Sequence, residues 1–227
     1  MSEKIHEVFP LIVYQGEMNC HLKFKEKYLS DIRSYWFNGF LNESPEGSGK
    51  IFLHLNENYS EFFSELKRNI DGYFNALNID YDKLNYHIVK SWTGYHADNE
   101  TPSISPHTHN ESNISFVYYL KTDPTSDKFC VSTKGDNRNE CIGGMFEISD
   151  EFNLIKRYNK YNCSFYTITP HEGSVVIFPS NLGHFTQKHM DRVDERIVIA
   201  GDIRVTLNKD QYMHHQGSTH PSQWLEL

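Results

Sequence analysis

Two histidines stand two residues apart, at His107 and His109, just ahead of the apolar run Ile114–Leu120. On an extended chain, residues two apart project from the same face, so both imidazoles can approach one metal ion from one side. Glu111 continues that alternation and would add a hard oxygen ligand suited to Fe(II). A third histidine, His184, follows the buried-type run Ser174–Phe178 and a Pro179-Ser180-Asn181 turn. Arg196 then opens the apolar run Ile197-Val198-Ile199-Ala200. A cation entering a buried strand is costly unless it is paired. Either it is a rim arginine paired with Asp191, Asp194 or Glu195, or its planar fork grips a carboxylate.

Each of these signals is modest alone. The chain holds 13 histidines in 227 residues, and at that density chance supplies on the order of one His-x-His pair. Their order carries more weight. Two ligands precede one strand, a third follows a later strand, and an arginine opens the last. That order suits a facial iron triad with an anionic cosubstrate.

The elements that must position these groups fall into two zones. A short apolar strand is expected at Val8–Tyr14. Helical spacing of Leu22, Tyr28, Leu29, Ile32 and Trp36 predicts a helix from His21 to about Phe40. A second, better helix is expected over Asn58–Leu77. Its stripe is Phe62, Phe63, Leu66, Ile70, Tyr73, Phe74 and Leu77, and Ser60 is its expected cap. After Asp80 the texture turns to short β-type runs separated by turn residues. These are Tyr86–Trp92, Ile114–Leu120, Phe129–Thr133, Cys163–Ile168, Ser174–Phe178, Phe185–Lys188 and Arg196–Leu207. No internal repeat and no linker is visible, so residues 1–227 are expected to form one domain. Within it, 1–85 would pack on an 86–207 barrel core, with a His-rich tail at 208–227.

Composition narrows the partners. A net charge of -8 and a pI near 5.9 provide no general attraction toward nucleic acid or an anionic membrane. Cys20, Cys130, Cys141 and Cys163 form no Cys-x-x-Cys pair, which disfavours a zinc knuckle or a disulfide framework and fits a reducing, cytoplasmic setting. The segment MSEKIHEVFP has no apolar h-region, and no stretch has the length of a transmembrane helix.

The segments HTHNESNISFVYYL, PHEGSVVIFPSNLGHF and ERIVIA together resemble the 2-oxoglutarate/Fe(II)-dependent oxygenase superfamily. They are closest to a subgroup marked by His-x-His, then Ser-x-Val-Tyr-Tyr-Leu, then Gly-x-x-x-x-Phe-Pro-Ser-x-x-x-His. The resemblance covers roughly Trp92 to Val205 and implies a double-stranded β-helix (a jelly roll, cupin-like) with N-terminal helices. It implies Fe(II) and 2-oxoglutarate as cofactors, ascorbate as reductant in vitro, and O2 as a reactant. The implied outcome is hydroxylation of an unidentified small molecule or protein side chain, with succinate and CO2 released. A homodimer is compatible with it. His107 and His184 match the superfamily's first and last metal positions, and His109 falls where most members carry Asp or Glu. Three ligand sets stay open: three histidines, His107 and His184 with Glu111, or His109 and Glu111 with His184. The subgroup's pattern ranks three histidines first. Arg196 matches the arginine that pairs with the distal carboxylate of 2-oxoglutarate, and Tyr119 a tyrosine that hydrogen-bonds it. Val198 stands where many relatives place Ser or Thr. Two rivals remain: a three-histidine cupin-type dioxygenase that does not use 2-oxoglutarate, and a non-enzymatic β-barrel binding module.

Overall fold

The computed structural model describes residues 11–37, 53–96, 104–122, 128–132, 163, 165–187 and 195–212. Strand β1 (Tyr14–Glu17) leads into helix α1 (His21–Phe37). Single 3-10 turns at Leu53–Leu55 and Glu57–Tyr59 precede helix α2 (Ser60–Ala76), and a third lies at Tyr81–Lys83. Strands β2 (Leu84–His96), β3 (Ile114–Lys121), β4 (Lys128–Ser132), β5 (Phe165–Ile168), β6 (Ser174–Pro179), β7 (His184–Gln187) and β8 (Arg196–Leu207) follow. A short helix α3 (Lys209–Tyr212) ends the described chain.

The strands form two antiparallel sheets, one in the order β1-β6-β3-β8-β2 and one in the order β5-β4-β7. Side-chain alternation along each strand divides the larger sheet into two faces. Phe116, Tyr118, Leu120, Val175, Ile177, Ile197 and Ile199 face the helices, where they join Phe24, Ile32, Phe62, Leu66, Ile70 and Tyr73. The intervening Tyr119, Val176, Phe178 and Val198 meet Phe129 and Val131 of β4 in the space between the sheets. Two facing antiparallel sheets with helices on the outer face are the expected double-stranded β-helix.

The helices differ from their expected form in two places. Leu22 is 78% exposed, so the buried stripe of α1 keeps Ile32 as expected but runs through Phe24 in place of Leu22. Ser60 does not cap α2. Tyr59 occupies that position without a side-chain bond, and the Ser60 amide instead closes the preceding 3-10 turn on Glu57 O. The side-chain cap lies one turn earlier, where Asn56 accepts from the Asn58 amide at 3.1 Å. The expected Val8–Tyr14 strand begins only at its last residue, and residues 8–10 lie outside the described residues. Residues 42–50 and 134–145, Cys141 among them, and most of the 208–227 tail lie outside them too.

Strands β3 and β8 approach closely at Gly201. A Cβ there would stand 2.6 Å from a Phe116 ring carbon and 2.7 Å from the Lys90 carbonyl oxygen. The carbonyl cannot move without breaking the sheet. Gly201→Ala should therefore destabilise the fold by about 1–3 kcal/mol, the usual range for overpacking. Thermal unfolding of the variant checks this, and an unchanged midpoint would mean that the strands part freely there.

Candidate metal centre

Pro179 ends β6, and the chain reverses through a tight turn closed by the Leu182 amide on Pro179 O at 3.0 Å. The turn delivers His184 as the first residue of β7. The segment carrying the other two histidines lies along this turn. His107 and His184 exchange both backbone hydrogen bonds, each 3.0 Å, and the His109 amide donates to Ser180 O at 2.8 Å. Backbone pairing thus brings together residues far apart in sequence.

The rings of His107 and His184 stand 4.3 Å apart, those of His109 and His184 5.0 Å, and those of His107 and His109 5.1 Å. One ligand atom from each lies within 4.8 Å of the others, a set that could hold a metal ion. The second ring nitrogens are engaged elsewhere. Nδ1 of His107 meets Ser105 O at 2.8 Å, and Nδ1 of His184 meets Leu182 O at 2.9 Å. A carbonyl oxygen only accepts, so Nδ1 carries the proton in both rings and Nε2 keeps its lone pair. Nδ1 of His109 is bound to the Asp202 carboxylate. All three imidazoles are therefore oriented with Nε2 as the free donor, the arrangement that metal-binding histidines favour.

Burial holds two of the rings neutral. It lowers the His107 pKa, helped by the neighbouring His109 and opposed by the Ser105 carbonyl. It pushes His184 from 6.5 down to about 4, reinforced by His107 and His109 and opposed by the Leu182 carbonyl. Metal binding requires the neutral ring, so the site is set for ions at neutral pH. The same shift predicts a pH effect on the metal-free protein. Between pH 6.5 and 4 the unfolded chain protonates His184 while the native chain does not, so stability falls as pH drops through that window. The full effect is about 3 kcal/mol. Denaturant titrations from pH 7 to pH 4 should show a shallower decline for His184→Gln than for the parent protein. Parallel declines would mean that His184 titrates normally when folded.

Arg196, opposite His96 in the β2–β8 register, is 1% exposed. The guanidinium carbon lies 5.3 Å from the centre of the Tyr119 ring. Its Nε and Nη1 and the Tyr119 hydroxyl are buried without hydrogen-bond partners among the described residues. Burial raises the Tyr119 pKa, with Arg196 opposing, so the phenol stays protonated. The adjacent Glu195 turns away to Arg33 and Lys121, the latter at 3.0 Å, and Asp191 and Asp194 lie outside the described residues. The three histidines and Arg196 line one cavity, walled by Trp92, Val117, Phe129, Phe178 and Val198.

Glu111 lies outside the histidine cluster. It is exposed, and its carbonyl accepts from Arg204 Nη2 at 2.8 Å. The chain bends at Asn110–Glu111, which ends the alternation that would have carried the carboxylate to the shared face. Ahead of His107, Ile104 lines the cavity, its amide held by Thr186 Oγ1 at 2.8 Å. Three partners were given no role from the sequence: Asp202, and the motif serines Ser115 and Ser180. Ser115 Oγ donates to Asp202 Oδ1 at 2.7 Å and lies 2.9 Å from Ser180 Oγ. An acid inside the apolar β8 strand was a usable signal, on the same argument applied to Arg196.

Residues 90–202 match the family model "Putative 2OG-Fe(II) oxygenase". No curated protein matches the chain in sequence. Among solved structures, a prolyl-4-hydroxylase of Pseudomonas putida is similar, with a TM-score of 0.50 and 12% identity over 85% of this chain and 87% of that one. HygX of Streptomyces hygroscopicus, solved with nickel and 2-oxoglutarate bound, gives a TM-score of 0.50 and 10% identity over 86% of this chain and 83% of that one. At such identities these two likenesses speak for the fold.

Proposed function

Because the chain belongs to the 2OG-Fe(II) oxygenase superfamily, we propose that it is a dioxygenase that hydroxylates a substrate while converting 2-oxoglutarate to succinate and CO2. The observation that carries this reading is the pairing, in one cavity, of three convergent imidazoles with a buried guanidinium whose Nε and Nη1 have no hydrogen-bond partner among the described residues. The residues fit both groups the family name implies. Bound together, Fe(II) and 2-oxoglutarate supply the means of activating O2.

The chain's own residues have separable tasks. Nε2 of His107, His109 and His184 would hold the iron from one side, their rings oriented by Ser105 O, Asp202 and Leu182 O. Arg196 Nε and Nη1 and the Tyr119 hydroxyl would take the distal carboxylate of 2-oxoglutarate. A buried guanidinium without an anion is costly, and a dicarboxylate removes that cost. Val198 provides no hydroxyl, so Arg196 and Tyr119 would share that carboxylate without a hydroxyl donor from position 198 of β8. The walls of Phe129, Phe178 and Trp92 would keep bulk water from the reacting groups.

In this reading the substrate is a small molecule or a protein side chain, the protein works in a reducing compartment, and residues 1–227 act as one domain. Cys20, Cys130 and Cys163 are free, and no described helix is long and apolar enough to cross a membrane.

The test is direct. Purified protein with Fe(II), ascorbate and 2-oxoglutarate in air should release succinate above background, and calorimetry under argon should show 2-oxoglutarate binding to the metal-loaded protein. Background succinate together with no binding would refute the reading. Metal binding without 2-oxoglutarate binding would favour the cupin-type alternative, which leaves Arg196 unexplained.

A further inference from the structure

We infer that Asp202 is a positioning residue that acts through His109, fixing its tautomer and supplying the negative charge that a three-histidine set lacks. The inference rests on the reading of His107, His109 and His184 as metal ligands. Three neutral imidazoles bring no charge to a divalent ion. A carboxylate bound to a ligand's far nitrogen is the next place from which charge can act, and such partners also raise the ligand's basicity.

The geometry is specific to Asp202. It is 7% exposed and stands directly across from Ser115 in the β3–β8 register. Its Oδ1 receives the Ser115 hydroxyl and binds His109 Nδ1. Ser115 is itself bound to Ser180 Oγ, and Ser112 Oγ donates to Ser180 Oγ at 2.8 Å. The carboxylate is thereby tied to the same turn whose Ser180 carbonyl holds the His109 amide. Lys90, opposite Asp202 on β2, does not neutralise it, because its ammonium sits 4.6 Å over the Trp92 ring. Behind the other two histidines stand the Ser105 and Leu182 carbonyls. Among the described residues, His109 is therefore the one ligand of the set with an anion at its back.

The experiment compares Asp202→Asn with the parent protein. The amide keeps the size and one acceptor but removes the charge. Chelator competition under argon should show Fe(II) affinity lowered about 10–100-fold, the range typical of such partners. The Fe(III)/Fe(II) midpoint should shift to more positive potential, a change that loosened packing alone would not produce. The metal-free melting temperature reports whether the variant folds. If it does not, the parent protein loaded with Zn(II) and labelled with 15N-histidine answers the same question. The His109 Nδ1–H proton should then resonate farther downfield than those of His107 and His184, whose acceptors are carbonyls. Unchanged affinity and potential in a folded variant, or a His109 proton no farther downfield than the other two, would overturn the inference and leave the function reading standing. A parent protein that binds no metal would overturn both.

Discussion

Replacing Arg196 with alanine should leave metal binding intact and weaken 2-oxoglutarate binding by roughly 2–5 kcal/mol, about 30-fold to several thousand-fold. The size follows from burial. The guanidinium is 1% exposed, so an anion it grips is largely shielded from water. Arg196→Lys should rescue poorly, because an ammonium is a point charge and cannot form a two-pronged grip. A second consequence separates this site from a structural ion pair. In the metal-free protein Nε and Nη1 have no partners among the described residues, so the arginine burdens the fold. Arg196→Met should therefore unfold at the same or a higher temperature without ligand, while failing to bind 2-oxoglutarate. Calorimetry and melting curves on the same samples check both. Unchanged 2-oxoglutarate affinity in Arg196→Ala would move the anchor elsewhere. Arg204, farther along β8, is already committed to the Glu111 carbonyl.

The ligand set gives the other large effect. After loading with Fe(II) under argon, His107→Ala, His109→Ala and His184→Ala should each arrive largely empty, and Glu111→Ala should arrive loaded. The three imidazoles share one volume, and the Glu111 side chain belongs to an exposed bend outside it. His184→Ala should be the most severe, since His184 is the most buried of the three and its backbone also pairs with His107. The choice of ligands also sets the charge at the metal. Three imidazoles leave the centre at +2, whereas a carboxylate ligand lowers it to +1, and the higher charge should favour dianionic 2-oxoglutarate. An empty Glu111→Ala beside a loaded His109→Ala would replace the three-histidine assignment with a two-histidine, one-carboxylate site.

What the sequence determined by itself is local. Short β-type runs bounded by turn residues located β8 at Arg196–Leu207, the bounds the structure shows, and located β3 and β6 to within a residue. That works because β-branched and aromatic residues suit a pleated, buried surface whatever its partners. The same locality allowed Arg196 to be singled out, since a charge inside an apolar run is anomalous wherever the strand goes. Tertiary structure decided the rest. Whether Glu111 joins His107 and His109 depended on the chain staying extended, and it bends at Asn110–Glu111, where Asn113 takes up pairing with Ile203. That Glu195 would turn away from Arg196 depended on Arg33 and Lys121, which reach it from α1 and β3. The Asp202 contact joins residues separated by 93 positions, and only the β3–β8 register sets Ser115 and the carboxylate behind His109. Alternation tells which way a side chain points. Which groups meet there is fixed by backbone pairing between distant strands, and that register is set by the packing of the whole sheet.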